Sequence, residues 1–511
     1  MCKLLVFILN GLLVLSCQQR SGEKVSETVK PNVIILYAND LGYGDIGCYG
    51  ATQFKTPHIN RLAKGGLRFT DGHSAAASST PSRYALLTAK YAFRKEAHGH
   101  SLSGTDPLLI DLNTESLPFM LKNAGYATGV IGMWNLGLGN GNVDWNHPIT
   151  PGPSEVGFDY SLIIPATGDR VPSVLVENQQ VVNLDLNDPI KVSYSQPFEG
   201  ELKAYEHPEL LRYPSDRYHS DAIVNGVGRI GYMSGGKKAR WKEEDFAEEF
   251  TQKSRSFMDD SKGKPFFLYL AFHDIHSPRL PHPKFIGKTD LGPRGDAIVQ
   301  MDWCVGQIVA HLEKLQLLEK TLIIFTSDNG PVLNDGYEDQ SVALLGNHQP
   351  SGHFRGGKYS AYEAGTRVPT IVHWPEKVEH GVSNALISQI DLFPSIAELI
   401  GTKINNEGLD GKNMLPALLG KSDAGREYLL EESLIVSLRK GNWKYIPATE
   451  VTADDWLPQK GIEGGFQNLP QLYDLSKDIS EKNNLVKDFP ELVSEFEKIL
   501  DKELTERKYN Q

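Results

Sequence analysis

Apolar runs typical of buried strands alternate with amphipathic stretches along most of the chain. The runs read NVIILYA, YATGVIG, PFFLYLAFH, TLIIFTS and TRVPTIVHW, at residues 32–38, 126–132, 265–273, 321–327 and 366–374. Helix-like patterns lie among them at residues 58–66, 116–125 and 297–316. Continuous apolar strands combined with helices of this length are typical of a mostly parallel sheet covered on both faces. The pattern therefore predicts an α/β fold with a large sheet sandwiched by helices.

Two regions depart from this alternation. Residues 165–245 are polar and rich in loop-forming residues, which indicates an insertion over the edge of the sheet. From about residue 425 the chain changes to short strands, SLIVSLRKGNWKYIP and QLYDL, followed by a charged helical stretch at 491–508. We therefore predict a main domain over residues 31–420 and a small α+β subdomain over residues 421–511.

The first 17 residues, MCKLLVFILNGLLVLSC, combine one Lys with an apolar run of signal-peptide length. The final VLSC is similar to a bacterial lipobox, which implies cleavage before Cys17 and lipidation of that residue. Residues 18–30 would then be a polar tether. An ordinary signal cleavage nearby is the alternative. We expect an exported bacterial protein, either periplasmic or attached to the outer membrane through a lipid on Cys17.

The composition of the chain limits the kinds of molecule that it is expected to bind. The chain has 511 residues, 40% of them hydrophobic and 23% charged, which is enough to build a globular protein with a large core. Its formal net charge of -12 disfavours nucleic-acid binding, which needs basic surface. Beyond the signal only Cys48 and Cys304 remain, so we predict no disulfide framework.

Polar side chains follow the predicted strands at the points where ligands gather in open α/β sheets. Asn39 and Asp40 follow the first strand, and Asp328 and Asn329 follow TLIIFTS. Such pairs on their own are typical of turns and helix caps. Two pairs in equivalent positions favour a metal site, and oxygen donors suit a hard cation such as Ca²⁺ better than Zn²⁺.

Two more strand ends carry candidate site residues. HDIHSP, with His273 and His276, follows the strand at 265–273. The stretch GMWNLG, at residues 132–137, follows YATGVI and contains no ionisable group. Its role therefore depends on the residues that meet it.

The stretch SSTPSRYALLTAKY, at residues 78–91, resembles the sulfatase signature in which the first Cys or Ser, here Ser79, is oxidised to formylglycine. Similar matches are DLGYGDIG, TPHINRLAKGGLRFTDGHS, TSDNGPV, FRGGKYSAYEAGTRVP, QIDLFPSIAELIG, LRKGNWKYI and LYDLSKD. The resemblance runs from about residue 31 to the C-terminus. It is specific for type I, formylglycine-dependent sulfatases of the alkaline-phosphatase-like superfamily, here of the bacterial Ser type.

The resemblance implies a definite reaction. The aldehyde at position 79 would hydrate, and one of its hydroxyls, bound to Ca²⁺, would attack the sulfur of a sulfate ester. The other hydroxyl would then expel sulfate and regenerate the aldehyde. The implied partners are a sulfated saccharide and the sulfatase-maturing enzyme that oxidises Ser79. The implied Ca²⁺ ligands are Asp40, Asp328, Asn329, Asn39 and the modified Ser79.

Other residues are assigned roles by the same resemblance. Arg83 would orient the Ser79 side chain, and His276 would give a proton to the leaving oxygen. Lys358 would bind a sulfate oxygen, and His276 and Arg355 would contact the substrate. Cationic groups and a metal are needed because sulfate is an anion, and a leaving alkoxide needs a proton. The alternatives are a structural histidine at 276 and a plain surface lysine at 358.

Three positions depart from the family pattern. The family stretch reads Gly-Lys-Trp-His-Leu-Gly, so Met133 stands where the family has Lys and Asn135 where it has His. Asn39 stands where the family has the first of two Asp residues. Each change keeps approximate size and removes an ionisable group. The altered site is therefore predicted to keep its shape and lose much of its chemistry.

Each loss has an expected cost. Asn39 still offers a carbonyl oxygen, so calcium binding should weaken rather than vanish. Met133 cannot offset charge on the sulfate, and loss of one such contact costs about 10²–10³ in rate. Asn135 cannot accept the proton whose removal lets sulfate leave, and general base catalysis contributes about 10²–10⁴.

We therefore predict a carbohydrate sulfatase scaffold that is inactive or severely impaired as written. One alternative is an active exo-acting glycan sulfatase in which His98, His100 or Lys90 supplies the missing charge. Another is a non-catalytic binder of sulfated glycans that keeps the pocket. A two-zinc phosphatase fits poorly, because it needs additional His and Asp ligands around the DNG stretch.

Overall fold

The computed structural model of the chain describes residues 30–95, 101–405, 408–451, 457 and 460–505. The predicted signal segment at 1–17, the tether up to residue 29, and His98 and His100 lie outside the described residues. From Pro31 onward the chain forms one compact unit. Among the described residues, no helix is both long and apolar enough to cross a bilayer.

The helices and strands of the described residues have the following bounds. The α-helices are α1 Pro57–Lys64, α2 Ser79–Thr88, α3 Leu117–Asn123, α4 Pro153–Val156, α5 Phe246–Asp260, α6 Gly292–Lys314, α7 Leu392–Leu399, α8 Leu415–Leu418 and α9 Pro490–Thr505. Short 3-10 helices are Tyr43–Asp45, Gly47–Tyr49, Ala92–Arg94, Pro208–Leu210, Arg217–His219, Glu243–Asp245, Pro283–Phe285, Leu318–Lys320, Glu363–Gly365 and Gln389–Asp391. The strands are β1 Asn32–Ala38, β2 Leu67–Phe69, β3 Gly72–His73, β4 Ala127–Met133, β5 Tyr160–Ile164, β6 Val176–Glu177, β7 Gln180–Val181, β8 Lys191–Ser193, β9 Ala222–Val224, β10 Val227–Arg229, β11 Tyr232–Ser234, β12 Phe266–Ala271, β13 Thr321–Ser327, β14 Thr370–His373, β15 Gly381–Ser383, β16 Ile387–Ser388, β17 Tyr428–Glu432, β18 Val436–Lys440, β19 Trp443–Ile446 and β20 Gln471–Asp474.

The main sheet has ten strands in the order β15-β2-β14-β13-β1-β12-β4-β5-β6-β7. The five central strands, from β13 to β5, are parallel to one another, with Val33 of β1 paired to Phe267 on one side and Leu322 on the other. At one edge β14 is antiparallel to both β13 and β2, and β15 pairs with β2 in parallel; at the other edge β6 and β7 pair in antiparallel fashion. The predicted mostly parallel sheet is confirmed.

Both faces of the sheet are covered, which explains the continuous apolar runs. Along β1, Val33 and Ile35 belong to a core shared with Leu86 of α2. The alternate residues Ile34 and Leu36 belong to a second core shared with Met301 of α6. Because side chains alternate along a strand, a run without polar positions serves both cores. The predicted layers of helix, sheet and helix are therefore confirmed.

Most predicted elements are present with shifted ends. The strand predicted at 366–374 is confined to β14, directly after Pro369, which has no N–H to donate to a ladder. Helix α5 was not predicted, although its buried Phe246, Phe250 and Phe257 recur at helical spacing. The loop-rich insertion at 165–245 contains short strands and short 3-10 helices, and two of the strands, β6 and β7, extend the sheet edge.

The predicted C-terminal subdomain contains a four-stranded antiparallel sheet, β17-β18-β19-β20, and helix α9. The sheet and helix share one apolar core with Ala75 and Ala85, which flank Ser79 in the main domain. A bridge between Ala76 and Glu432 also joins the end of β17 to the chain just before α2. The boundary at residue 420 stays a prediction, whereas the small antiparallel sheet is confirmed.

A buried ion cluster joins this sheet to the main domain. Its centre is Glu363, whose Oε1 lies 3.1 Å from Nε of Arg439 and 3.0 Å from Nη1 of Arg367. Nη2 of Arg439 also lies 3.0 Å from an oxygen of Asp71. The members of the cluster are Asp71, His73, Glu363, Arg367, Glu431, Arg439, Lys444 and Glu481. Removing one partner of such a buried ion pair strongly lowers stability, because the other charge stays buried without compensation.

One member of the cluster favours its neutral form. Burial raises the pKa of Glu481 to about 8, with Lys444 opposing the shift and Glu363 adding to it. Its Oε2 accepts the backbone N–H of Glu363 at 2.9 Å, while Oε1 has no partner among the described residues. Folding therefore takes up a proton at this carboxyl between its unfolded pKa and about pH 8.

We expect Glu481→Gln to reduce the loss of stability with rising pH. With its raised pKa, Glu481 stabilises the folded chain at low pH, and this contribution falls by about 1.4 kcal/mol per pH unit as pH rises toward the folded value. Gln cannot ionise, so the variant should gain stability relative to the parent between pH 5.5 and pH 8. Urea unfolding across this range measures the difference. The exposed Glu313→Gln is the control, and parallel curves for parent and Glu481→Gln would contradict the expectation.

Candidate active site

Four adjacent parallel strands bring the predicted site residues to one edge of the sheet. β13, β1, β12 and β4 are neighbours, so their carboxyl ends lie side by side. Asn39 follows β1, Asp328 follows β13 and Met133 ends β4. This is the edge where open α/β sheets bind ligands. All three side chains are buried.

Helix α2 begins at the same edge with Ser79. One turn later, the fully buried Arg83 joins three elements of the site. Its Nη1 donates to the carbonyl oxygen of Met133 at 2.8 Å and to the hydroxyl of Tyr269 at 3.3 Å. Its Nη2 donates to Oδ2 of Asp328 at 2.9 Å. Arg83 thus fixes the start of α2 against β4, β12 and β13.

Ser79 faces two amide side chains. Its Oγ lies 3.3 Å from Oδ1 of Asn329 and 3.5 Å from Oδ1 of Asn39. The Ser79 side chain is nearly inaccessible, with 2% of the residue exposed. Ser79 therefore lies beside one residue of each predicted ligand pair. This is expected for residues that follow strands ending at the same edge of the sheet.

The two carboxylates of the predicted metal site are also close together. Oδ1 of Asp328 accepts the backbone N–H of Asp40 at 3.1 Å, and Oδ1 of Asp40 accepts Nδ2 of Asn329 at 2.8 Å. Burial raises the pKa of Asp328, which Arg83 opposes and the nearby Asp40 carboxylate increases. A set of carboxylate, amide and hydroxyl oxygens fits a hard cation such as Ca²⁺.

Lys358 lies within this carboxylate group. Its Nζ is 2.9 Å from Oδ1 and 3.0 Å from Oδ2 of Asp40, and 2.9 Å from Oδ2 of Asp335. Burial alone would lower the pKa of Lys358, but Asp335 and Asp40 raise it well above its usual value. Lys358 is therefore a buried, charged group and not a plain surface lysine.

Asp335 is a residue of the site that no sequence motif indicates. The residue lies in VLNDGYED, where an Asp followed by Gly indicates only a turn. In the structure it is buried and binds Lys358, and its other oxygen binds Lys460 from the C-terminal region. Asp335, Asp40 and His276 place candidate metal-ligand atoms within 4.8 Å of one another. Only tertiary contacts identify this residue.

His276 is a buried, neutral imidazole. Its Nδ1 donates to the carbonyl oxygen of Ser277 at 2.6 Å, because a carbonyl oxygen only accepts. Burial lowers the pKa of His276, and the Lys358 ammonium lowers it further. Nε2 is thus the ring nitrogen left to exchange a proton. The adjacent His273 instead accepts the backbone N–H of Gly168 at 3.1 Å.

The three departures from the family pattern lie at the carboxyl ends of β1 and β4, at the same edge of the sheet. Nδ2 of Asn39 contacts the sulfur of Met133 at 2.6 Å, so two of the replacements touch each other. Asn135 is fully buried, and among the described residues neither polar atom of its side chain has a hydrogen-bond partner. Its φ of 49° is a left-handed conformation that Asn tolerates well. Within GMWNLG, Met133 therefore contributes a neutral contact beside Ser79, and Asn135 contributes an amide that is unpaired among the described residues.

Two other candidates make no hydrogen bond to Ser79 among the described residues. Arg355 pairs with Glu463, donates to the backbone oxygen of Glu481 and lies 4.0 Å over the ring of Tyr362. Its predicted contact with substrate stays a prediction. Lys90 lies beyond the far end of α2, about 15 Å along the helix axis from Ser79.

The chain is similar to known sulfatases over most of its length. A family model described as Sulfatase matches residues 31–402. The chain is 48% identical to an N-acetylgalactosamine-6-O-sulfatase of Bacteroides thetaiotaomicron over 500 residues, 97% of each chain. It is 31% identical to human arylsulfatase A over 473 residues, covering 89% of this chain and 83% of that one. A solved structure described under glycosaminoglycan metabolism by Bacteroides thetaiotaomicron is 49% identical, with a TM-score of 0.91, covering 94% of this chain and 100% of the other.

We expect Asn39→Asp and Met133→Lys each to destabilise the chain, and the double variant to lose less stability than the sum of the two single losses. Each single change buries a charge beside a neutral partner, which costs about 3–5 kcal/mol for an unpaired buried ion. The two side chains are in contact, so the double variant regains an ion pair. Urea unfolding of all four proteins should give a favourable coupling free energy of about 1–3 kcal/mol. Additive effects would show that the two positions act independently.

Proposed function

Because the chain belongs to the sulfatase family, we propose that it is a carbohydrate sulfatase scaffold for a 6-O-sulfated amino sugar, with little or no hydrolytic activity as written. The substrate class is supported by the relative named N-acetylgalactosamine-6-O-sulfatase, which matches over 97% of both chains. We further propose export through residues 1–17, lipid attachment at Cys17 and oxidation of Ser79 by a sulfatase-maturing enzyme. These steps would place the pocket where sulfated glycans occur.

The retained residues support binding of a sulfate group. Lys358 supplies a buried ammonium, and Arg83 holds the start of α2 by its bonds to Asp328 and the Met133 carbonyl. In a water-poor pocket such charges act more strongly on an anion than they would in bulk water. The oxygen donors that would hold calcium are those of Asn39, Asp40, Asp328 and Asn329.

Calcium and a formylglycine at position 79 would supply the Lewis acid and the nucleophile of the family's reaction. The chain's own part is to orient the ester and move protons. His276, fixed through Nδ1 to the Ser277 carbonyl, would present Nε2 to the leaving oxygen. Its lowered pKa makes the protonated ring a stronger acid, although a scarcer one at neutral pH.

The contact between Asn39 and Met133 carries the proposal of impaired activity. Two neutral side chains touch beside Ser79 where the family pattern has a carboxylate and an ammonium. The pocket therefore lacks one cation for the sulfate and one charge among the calcium ligands. Asn135 adds the loss of a proton acceptor. Effects within one site are not additive, so the losses are not simply multiplied.

Turnover by a restored variant tests this proposal. We expect the triple variant Asn39→Asp, Met133→Lys and Asn135→His to release sulfate from 6-O-sulfated N-acetylgalactosamine at least about 10³-fold faster than the chain as written. Sulfate release is measured after mass spectrometry shows formylglycine at position 79 in both proteins. Ser79→Ala in each background is the control. Equal turnover by the two formylglycine-bearing proteins would instead identify a working sulfatase with a compensated site.

A second candidate function is non-catalytic binding of sulfated glycans, which the buried Lys358 favours. Calorimetric titration of the chain as written should show binding of the 6-O-sulfated sugar at least about tenfold tighter than the unsulfated sugar. Lys358→Met should remove most of this difference, because the ammonium is the charge offered to the anion. The exposed Lys122→Met is the matched control. Equal affinity for the two sugars would rule the binder out.

A further inference from the structure

The Lys358 ammonium is shared between two carboxylates. Its Nζ lies 2.9 Å and 3.0 Å from the two oxygens of Asp40 and 2.9 Å from Oδ2 of Asp335. All three residues are buried, so these charges are poorly screened by solvent. An unpaired buried ion is costly, so the ammonium depends on these two carboxylates.

Asp40 faces two competing demands. It is a candidate calcium ligand, and its oxygens also accept the Lys358 ammonium. A divalent cation and an ammonium on the same carboxylate repel each other strongly in a buried site. Asn39 stands in place of a carboxylate, so Asp40 is the only acidic side chain directly after β1. Calcium and the Lys358 ammonium therefore compete for this one carboxylate.

Asp335 provides a second carboxylate for the Lys358 ammonium. Oδ2 of Asp335 holds Lys358, while Oδ1 is held by Lys460 from the C-terminal region. The Asp335 carboxylate is thus kept ionised and in place; Lys358 and Lys460 hold its pKa well below the usual range against the effect of burial. Lys358 can leave Asp40 and keep a complete ion pair.

We propose that Asp335 is a positioning residue that retains Lys358 when Asp40 binds calcium, so that calcium binding and the readiness of Lys358 for sulfate are coupled. This inference rests on the calcium site of the proposed function. An ammonium has three N–H donors. Release from Asp40 frees donors for a sulfate oxygen while the bond to Asp335 keeps the ammonium in the pocket. Calcium and a sulfated sugar should therefore increase each other's affinity by the same factor.

Calcium titration calorimetry on the full chain tests the role of Asp335. We expect Lys358→Met to bind calcium about fivefold or more tightly than the parent, because a competing cation is removed. Asp335→Asn should bind calcium about tenfold more weakly, because Lys358 then stays on Asp40. In the Lys358→Met background, Asp335→Asn should change the affinity by less than about threefold. Equal losses in the two backgrounds would overturn the proposal and leave Asp335 as a remote charge only.

The matched control is Lys460→Met, which removes a cation from Asp335 without touching Asp40. It should change calcium affinity by less than about threefold. Lys358→Gln provides a second neutral variant, and melting temperatures check that every variant folds. Absence of calcium binding in all variants, including Lys358→Met, would also overturn the proposal.

The coupling to sulfate has its own readout. Calcium should tighten binding of the sulfated sugar by about fivefold or more in the parent, and Asp335→Asn should abolish this gain. Sugar affinity that does not depend on calcium would contradict the coupling, yet it would leave the proposed binding function intact. Failure of the two proposals is therefore distinguishable, because neither titration requires turnover.

Discussion

The site depends on one buried guanidinium. Arg83 reaches from the second turn of α2 to the carbonyl at the end of β4, the Tyr269 hydroxyl of β12 and the Asp328 carboxylate after β13. Burial alone would lower the pKa of Arg83, but Tyr269 and Asp328 raise it, so the group stays charged. A charge held in this way orients the helix that presents Ser79. The position of Ser79 is thus set by an ion pair across the carboxyl edge of the sheet.

Charge balance explains how the site can differ from the family pattern at two charged positions and keep its packing. The carboxylates Asp40, Asp328 and Asp335 are matched by Arg83, Lys358 and Lys460. Relative to the family pattern, Asn39 lacks a negative charge and Met133 lacks a positive one, and these two side chains touch. Removing opposite charges at one contact leaves no uncompensated ion, which is the costly outcome in a buried site. The remaining cost lies at Asn135, whose amide is buried without a hydrogen-bond partner among the described residues.

The C-terminal sheet and the chain around it also contact the residues that position the site. The chain before α2 is held on one side by Glu432, at the end of β17, and on the other by the backbone N–H of Tyr359, which donates to Ala77. The buried ion cluster around Glu363 ties the sheet to the same region. Lys460 comes from this part of the chain and binds Asp335 in the pocket. The C-terminal region therefore contributes to the position of both Ser79 and Lys358.

The layers of the fold and the residues that follow each central strand could be predicted from the sequence, because both depend on local periodicity and on strand ends that share one edge. The sequence also indicated the family and the three departures from its pattern, through motifs that are continuous in the chain. Only the tertiary structure decided that Asn39 touches Met133, that Asp335 holds Lys358 and that Arg355 turns toward Glu463. The members of these three pairs are separated along the chain by 94, 23 and 108 positions, respectively. No local pattern encodes such pairs, since they follow from how the sheet edge and the C-terminal region close around one buried pocket.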